Sequence, residues 1–559
     1  MADELIDATV ASAQKYLGTR QRDDGSWCDR LASSAHATSL AVLALWKVDP
    51  ARHRREIDEG LAWLADHQRA DGGWSDSDLD PPSSKSGTAF TVATLYALDR
   101  ERFSAAIDRG LVWLDEVGGV RLVPGMEGPP PKTWPAAAAV VWALAGLRPF
   151  EEQPYQPIEV MLLPPRLRNK ISVAIPGVLG LGVMQAHVLR VGRVRRLLHR
   201  LAEPRALRWI EAAQGENGGF EESPMLTAVI LIGLQVAGVA DEIRERCRSY
   251  LLDTRRADGS WAIDRDLEVS ATRYTVGALV ECADPADGVD LDRTRDWLRD
   301  AQCSTPFTPV RIPAGGWPWA LSSGWPEADD TAGALGALAA LGMPADADAM
   351  RRGIHWLLTR QNRNGSWSGW VKNGSLLNDG PCPAVTAEVA SALHRLQVRL
   401  PRRDPVDRAV RYVAGVQQAD GSFTSLWFRH HVFGTARVLE LFADLGLCAG
   451  SPARRAQGWL LGNQREDGAW PATSDEPTVE ETGWALYALL RSGLPAEDPR
   501  LRRAAAWLVD AQEQGTWRAS PVGLYFATLR YSDDLIAHAA ALRALARWSA
   551  RVTSGPSTA

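Results

Sequence analysis

The 559-residue chain has few cysteines, no long apolar run and no excess of positive charge. Its six cysteines are scattered, and none forms a C-x-x-C pair, so neither a disulfide framework nor a zinc ribbon is indicated. No window of about 18 uncharged apolar residues predicts a membrane-spanning helix. The acidic N-terminus lacks the basic and apolar regions of a signal peptide, and the net charge of −6 does not favour nucleic acid as a partner. We therefore expect a cytoplasmic protein.

Tryptophan is the abundant aromatic residue, with 23 Trp against 10 Phe and 9 Tyr. Much of it falls in a repeated pattern, Q-x-x-x-G-x-aromatic, between segments whose apolar residues recur at three and four positions. Strict copies begin at Gln21, Gln68, Gln214, Gln361, Gln417 and Gln464, and variants begin at Arg255 and Gln512. The pattern predicts a repeated helix–turn–helix unit in which the Gln reaches backbone groups at the next helix end.

Stacked helical hairpins build either an open solenoid or a closed α/α barrel. Because the copies are unevenly spaced, we favour an all-α fold of two α/α barrels. We assign residues 1–15 with 265–559 to one barrel and residues 16–264 to the other, which contains the apolar segment 157–189.

The segment 157–189 interrupts the repeat and is the most apolar part of the chain. Arg166, Arg168 and Lys170 cluster within it, ahead of a Gly-containing apolar stretch. A buried helix and a helix lying in a membrane interface have the same periodicity, so both interpretations stay open.

An acidic motif stands at the start of another apolar helix, in "WPEADDTAGALGAL" (325–338). Asp330 gains from the helix dipole and is expected to stay ionised. Asp329 beside it is then pushed towards the neutral acid, a proton donor if its surroundings are apolar. The alternative is that Glu327, Asp329 and Asp330 cap a surface helix.

Together, the repeats and the acidic motif resemble the squalene–hopene cyclase family and the class II terpene cyclases related to it. The stretch "GGWPWALSSGWPEADDTA" is similar to the family's G-G-W followed by P-D-x-D-D-T-A. The resemblance implies a two-barrel (βγ-type) enzyme that cyclises a linear isoprenoid after protonation, without a cofactor or bound metal for that step. It implies that Asp329 is the general acid and Asp330 its ionised neighbour, with Glu327 replacing the first Asp.

The resemblance also implies an aromatic wall that stabilises carbocations. Trp319 and Trp427 match its aromatic stretches, and Tyr525, Phe526 and Tyr531 match the aromatic C-terminal region more loosely. Ordinary core packing is the alternative for these residues.

Two positions near the acid depart from the family. Glu388 stands where the family has a histidine that primes the acid, so we expect Asp329 and Glu388 to share a proton. His431 stands where a tyrosine is usual, and we predict that it helps to re-protonate Asp329. A polar core residue is the alternative for His431.

The substrate is the least determined feature. Arg166, Arg168 and Lys170 suit a phosphate group, which favours a C15–C20 prenyl diphosphate, accompanied by Mg²⁺, over squalene or another C30 polyprene. Peripheral membrane contact through 157–189 is the other interpretation of these cations. A non-catalytic isoprenoid-binding protein and a zinc prenyltransferase using Asp379 and Cys382 stay open as alternatives.

Overall fold

The computed structural model describes residues 2–29, 31–78, 82–117, 134–164, 175–284, 286–323, 325–374, 379–471, 476–525 and 529–554. These residues contain 21 α-helices, three short 3₁₀ helices and one antiparallel two-stranded sheet. The predicted all-α class is confirmed.

Six inner helices form the acid-bearing barrel. They are α11 (Glu268–Leu279), α13 (Ala328–Ala340), α15 (Pro383–Arg395), α17 (Val432–Asp444), α19 (Val479–Arg491) and α21 (Asp534–Ser554). Each contacts the next, and α21 contacts α11, so the ring is closed. The outer helices are α1 (Ala2–Arg20), α12 (Leu291–Asp300), α14 (Asp348–Arg360), α16 (Pro405–Gly415), α18 (Ser451–Gly462) and α20 (Pro499–Asp510).

The second barrel also has inner and outer helices. Its inner helices are α2 (Ala35–Val48), α4 (Lys85–Asp99), α6 (Trp134–Leu144), α7 (Ile175–Val188) and α9 (Pro224–Ala237). They contact one another in the order α6, α4, α2, α9, α7. The outer helices are α3 (Arg54–Asp66), α5 (Ser104–Glu116), α8 (Arg193–Ala213) and α10 (Asp241–Asp253).

Three 3₁₀ helices and one β-hairpin are the other elements of the described chain. The 3₁₀ helices are Phe150–Glu152, Ile158–Leu162 and Leu321–Ser323. Strand β1 (Gly523–Tyr525) pairs with β2 (Leu529–Tyr531), with Gly523 opposite Tyr531 and Tyr525 opposite Leu529.

The Gln side chain of the repeat joins its turn to the next outer helix by hydrogen bonds. Gln361 Nε2 donates to Gly365 O and to Pro405 O, both at 2.9 Å, and Pro405 begins the next outer helix. The same pair of bonds recurs at Gln68, Gln417 and Gln464. The turn needs the left-handed backbone that glycine adopts freely, and φ is 96° at Gly365.

The aromatic residue of the repeat is hydrogen-bonded to both an outer and an inner helix. Trp367 Nε1 donates to Leu357 O at 2.8 Å, and its backbone N–H donates to Thr386 Oγ1 at 2.9 Å. Equivalent threonines at the start of inner helices accept from the aromatic residue in six other copies, and from Trp317 in a further Gly-Gly-Trp turn. A threonine at an inner helix start is therefore part of the repeat, although the sequence pattern did not include it.

Residues at the domain boundary contact the acid-bearing barrel. Gln21 Nε2 donates to Asp290 O at 3.0 Å, and the Trp27 N–H donates to Thr272 Oγ1 at 2.9 Å. The division at residue 15 stays a prediction, and these contacts favour placing residues 16–29 with residues 265–559.

The described part of 157–189 is largely internal. From Gly177 to Gln185, α7 is buried except for a half-buried Val178, because it packs against α8 and α9. Among the described helices, none is both long and apolar enough to cross a bilayer.

Candidate active site

Three carboxyl groups lie at the N-terminal end of α13. Glu327 precedes the helix, and Asp329 and Asp330 lie in its first turn. The Glu327 N–H donates to Trp317 O at 2.9 Å, and the Trp317 N–H donates to Thr331 Oγ1 at 2.9 Å. Thr331 is thus the repeat's threonine, and the repeat geometry fixes where the acids stand.

Asp330 is held as an ionised group by two side chains from α11. Arg273 Nε lies 2.5 Å from Asp330 Oδ1, and Ser270 Oγ donates to the same oxygen at 2.8 Å. Arg273 is 7% exposed, and a buried ion pair of this kind is stable only when further hydrogen bonds complete it. The sequence predicted an ionised Asp330 but not its partner.

Asp329 has a different environment from its neighbour. It is 4% exposed, and its Oδ1 has no hydrogen-bond partner within the described residues. Burial and the charge of Asp330 raise the pKa of Asp329 to about 8, against the opposing effect of Arg273. Arg273 Nη2 is 3.7 Å from Asp329 Oδ2, too far for a hydrogen bond. Asp329 therefore keeps its proton at neutral pH.

Glu327 completes the acidic cluster. It is 5% exposed, and burial followed by the charges of Asp329 and Asp330 raises its pKa well above the usual range. One oxygen of each of the three carboxyls lies within 4.8 Å of the other two. The cluster thus holds one charge, on Asp330, opposite one guanidinium.

A cavity opens beside Asp329. Its aromatic lining consists of Tyr274, Trp319, Trp370, Trp427, Phe428, Tyr525 and Tyr531. Leu31, Glu221, Ile263 and Asp264 line it from the side of the second barrel. The structure therefore brings Trp319, Trp427, Tyr525 and Tyr531 together with Glu327, Asp329 and Asp330.

The tryptophans form a continuous wall. Trp370 stacks on Trp325 with ring centroids 5.9 Å apart and meets Trp427 edge-on at 5.1 Å. Trp319 lies 6.3 Å from Trp370. Aromatic faces attract cations most strongly where water is excluded, so this wall suits a carbocation.

Glu388 does not line the cavity beside Asp329. It borders a separate space inside the barrel together with Arg273, and its Oε1 is 3.4 Å from Arg437 Nε. Within the described residues it makes no hydrogen bond to Asp329, although its charge raises the pKa of Asp329. Proton sharing between the two stays a prediction, supported by charge coupling and not by contact.

His431 lies outside the cavity lining. Its Nδ1 is 3.4 Å from Ser422 Oγ in a repeat turn, just before α17. Its role in re-protonation stays a prediction that no contact in the described chain supports. Arg166, Arg168, Lys170 and Phe526 lie outside the described residues.

Sequence reasoning missed Arg273, Trp370 and the pair Glu221 and Asp264. Arg273 had a signal, because it is the one cation in α11, a helix otherwise rich in small and apolar residues. Trp370 had no such signal in the sequence, since it follows a repeat turn and does not belong to the repeat pattern.

The suggested zinc ligands have other roles. Asp379 accepts from the backbone N–H groups of Trp370 and Val371 at 2.8 and 2.7 Å. Cys382 is buried at the start of α15. Across the described residues, the acidic cluster at Glu327, Asp329 and Asp330 is the only group arranged to hold a metal ion.

A closed helical barrel that presents a buried neutral acid to a tryptophan-lined cavity defines a protonation-dependent, class II terpene cyclase. The family described as squalene–hopene cyclase C-terminal domain matches residues 2–119 and 267–520. The chain belongs to the squalene–hopene cyclase family and is an enzyme of the isomerase type.

Individual relatives agree with this assignment. The chain is 26% identical over 523 residues to the squalene–hopene cyclase of Alicyclobacillus acidocaldarius, covering 80% of each chain. It is 32% identical over 73 residues to the ent-copalyl diphosphate synthase of Streptomyces sp. strain KO-3988, covering 13% of this chain and 14% of that one. The solved ent-copalyl diphosphate synthase of Streptomyces platensis has the same fold, with a TM-score of 0.62 at 19% identity over 98% of both chains.

Proposed function

We propose that Asp329 protonates the terminal alkene of a linear isoprenoid and so starts its cyclisation. This proposal rests on the buried Oδ1 of Asp329, which has no hydrogen-bond partner in the described chain. The carboxyl group to which it belongs lines the cavity. A neutral carboxylic acid without a competing acceptor is the group that an alkene requires as proton donor.

The reaction is an isomerisation in which atoms and charge balance. The proton of Asp329 forms a bond to the terminal alkene carbon, and the alkene's electron pair becomes the new C–H bond. Successive alkenes attack the cation, rings close, and loss of a proton ends the sequence, so that the product is an isomer of the substrate. Capture of water followed by loss of a proton would instead give a hydrated product. Trp319, Trp370 and Trp427 face the cavity and stabilise the intermediate cations.

The residues around Asp329 set its proton affinity. Arg273 keeps Asp330 ionised, and the charge of Asp330 makes a second ionisation costly. Once Asp329 has lost its proton, the nearby guanidinium of Arg273 stabilises the new carboxylate. Arg273 is therefore assigned as a positioning residue for the acid.

For the substrate we favour a C15–C20 prenyl diphosphate. Asp264 lines both the cavity and an adjoining surface groove that is rich in arginine. The groove contains Arg20, Arg22, Arg255, Arg256 and Arg265. Arg20 pairs with Asp29 and Arg265 with Asp266, so a diphosphate would replace carboxylate partners there. The cluster Arg166, Arg168 and Lys170 in the sequence supports the same substrate class.

Squalene is the second candidate. Identity to a squalene–hopene cyclase extends over 80% of the chain, whereas identity to an ent-copalyl diphosphate synthase covers 13%. A C30 hydrocarbon would need no polar group at the cavity mouth.

Mg²⁺ does not fit the acidic cluster in its active form. Arg273 already supplies the positive charge at Asp330, and a metal ligand must be deprotonated, which would remove the proton that Asp329 donates. Any Mg²⁺ would instead enter with a diphosphate as part of the substrate.

The test is incubation of the purified protein with geranylgeranyl diphosphate, farnesyl diphosphate or squalene, followed by gas chromatography after dephosphorylation. We expect a cyclic product from a prenyl diphosphate, its loss in Asp329→Asn, and its retention in the surface control Asp348→Asn. Cyclisation of squalene alone would transfer the assignment to the second candidate. No cyclic product from any of the three would overturn the proposed function.

We also propose peripheral membrane contact through α8, which follows the segment 157–189 along the chain. Val194, Leu197, Leu198 and Leu201 recur at helical spacing and are 77%, 58%, 37% and 49% exposed. Exposed arginines, including Arg193, Arg196 and Arg200, flank this stripe. An apolar stripe bordered by cations is typical of a helix at an anionic membrane surface.

Co-sedimentation with phosphatidylglycerol-containing vesicles tests this proposal. Leu197→Glu is expected to reduce binding at least fivefold, whereas Leu5→Glu, at a comparably exposed position on α1, is expected to leave it unchanged. Equal binding by both variants would contradict the assignment of α8.

A further inference from the structure

Two carboxyl groups in the wall of the cavity lie outside the acidic cluster. Glu221 precedes α9 and Asp264 precedes α11, and both border the same space as Asp329. They are 7% and 2% exposed, and the other residues that line the cavity from this side, Leu31 and Ile263, are apolar. The proposed protonation by Asp329 makes no use of either group.

Hydrogen bonds between two short segments fix the backbone at this part of the wall. Ser223 Oγ donates to Ile263 O at 2.8 Å, and the Arg265 N–H donates to Glu222 O at 2.8 Å. Glu221 and Glu222 are both left-handed, with φ of 52° and 54°. Consecutive non-glycine residues in this conformation are costly and are usually kept where a side chain must be directed to one place. The backbone thus fixes where Glu221 borders the cavity.

No described cation is paired with either carboxyl group. Arg265 Nε lies 3.3 Å from Glu222 Oε2 and 2.8 Å from Asp266 Oδ2, and no described Lys, Arg or His forms a salt bridge with Glu221 or Asp264. Burial raises the pKa of both groups well above the usual range. Both side chains are therefore protonated at neutral pH, and each carries an O–H group that can donate a hydrogen bond.

The described chain does not use the full hydrogen-bonding capacity of these two acids. Glu221 Oε1 has no hydrogen-bond partner within the described residues. Asp264 Oδ1 accepts from the Arg265 N–H at 2.9 Å, so the proton of this acid belongs on its other oxygen. A buried polar group without a partner destabilises the fold, and such a group beside a cavity is satisfied when a ligand supplies the missing partner.

We propose that Glu221 and Asp264 donate hydrogen bonds to an oxygen atom of the isoprenoid substrate, remote from the alkene that Asp329 protonates. This assignment rests on the proposed protonation by Asp329 and narrows its substrate class to isoprenoids that carry an oxygen function. Asp264 also borders the arginine-rich groove, so the oxygen would lie where the cavity adjoins that groove. A diphosphate ester or an alcohol supplies such an oxygen, whereas a hydrocarbon does not.

The test compares each acid with its amide, because an amide keeps an N–H donor and removes the acid. Glu221→Gln and Asp264→Asn are assayed beside Glu221→Leu and Asp264→Leu, which remove the donor. The substrates are geranylgeranyl diphosphate, geranylgeraniol, squalene and the C20 hydrocarbon in which hydrogen replaces the oxygen group on C1. Glu216→Leu, at an exposed position of the same repeat turn, is the matched control, and melting temperatures report folding.

The two kinds of variant are expected to differ. Wild type should have a kcat/KM about tenfold higher for an oxygenated substrate than for the C20 hydrocarbon. The amide variants should stay within about threefold of wild type, whereas the Leu variants should lose about tenfold in kcat/KM, mainly through KM, for the oxygenated substrate alone. Glu216→Leu should match wild type. A higher kcat/KM for the diphosphate than for geranylgeraniol assigns the oxygen to a diphosphate ester, and the reverse assigns it to an alcohol.

Failure of this assignment is distinguishable from failure of the proposed function. If wild type consumes none of the four substrates, protonation by Asp329 fails and the donor assignment fails with it. If wild type consumes hydrocarbons as efficiently as oxygenated substrates, or if the Leu variants keep the wild-type preference, the donor assignment alone is overturned. Amide variants as impaired as the Leu variants would also overturn it, because the acid itself would then be required. The comparison of substrates with wild type is decisive even if a Leu variant does not fold.

Discussion

Substitution of Arg273 is a direct way to change the pKa of Asp329. Because the acid must be protonated, activity is expected at pH values below about 8 and is lost as pH rises through the pKa of Asp329. The Arg273 guanidinium lowers that pKa, so Arg273→Gln is expected to move the alkaline limb of the kcat profile to higher pH.

The size of this change follows from the geometry. Arg273 Nη2 lies 3.7 Å from Asp329 Oδ2. At an effective dielectric constant of about 20, two unit charges at this distance interact by about 4 kcal/mol, equivalent to about three pH units. Asp330 also loses its partner, and rearrangement of the site around it absorbs some of the effect. We therefore expect the limb to move by about one pH unit or more.

The assay is product formation under substrate saturation between pH 5 and 10. Arg351→Gln, which removes an exposed arginine of α14, serves as the control and should leave the limb in place. A limb that stays in place or moves to lower pH in Arg273→Gln would refute the argument that this guanidinium competes with the proton on Asp329.

Three further predictions follow from the same contacts. Because the folded-state pKa of Asp329 is raised, its contribution to stability is present at low pH and is lost as pH rises towards about 8. Asp329→Asn should therefore have a melting temperature several degrees above that of wild type at pH 9 and close to that of wild type at pH 5. An equal difference in melting temperature at both pH values would contradict this. Trp370→Leu removes an aromatic face that stabilises a desolvated cation by about 2 kcal/mol, so kcat should fall about 30-fold and the share of partly cyclised product should rise. The control Trp459→Leu, on an outer helix, should not change the product ratio. Gln361→Ala leaves two buried carbonyl groups without their donor, so chemical denaturation should show a fall of about 2–4 kcal/mol in the free energy of unfolding. A fall below about 0.5 kcal/mol would contradict the role of this side chain in joining the helices.

Much of the fold was predictable because the repeat specifies it within short stretches of sequence. A Gln, a Gly and an aromatic residue within seven positions specify a turn whose hydrogen bonds join three helices, as Gln361, Gly365 and Trp367 illustrate. The acidic motif was equally local, since Asp329 and Asp330 are neighbours in one helical turn.

The partners of the acid were not predictable in the same way. Arg273 lies 57 positions from Asp330 in the sequence, and only closure of the barrel between α11 and α13 brings them together. The ion pair between Glu388 and Arg437 joins positions 49 apart in the sequence and was equally unpredictable. Glu221 and Asp264 border the same cavity because two segments, 221–223 and 263–265, are hydrogen-bonded side by side. Contacts between distant segments are set by packing, which local patterns do not encode.

Reaction in D₂O tests the central claim most directly, because a proton donated by Asp329 exchanges with solvent before each turnover. The purified protein is equilibrated in D₂O, supplied with the isoprenoid that it converts, and the product is analysed by mass spectrometry. We predict one solvent deuterium at the protonated terminus of the cyclic product from wild-type protein, and no cyclic product from Asp329→Asn. A cyclic product without deuterium, or full activity in Asp329→Asn, would contradict initiation by this acid.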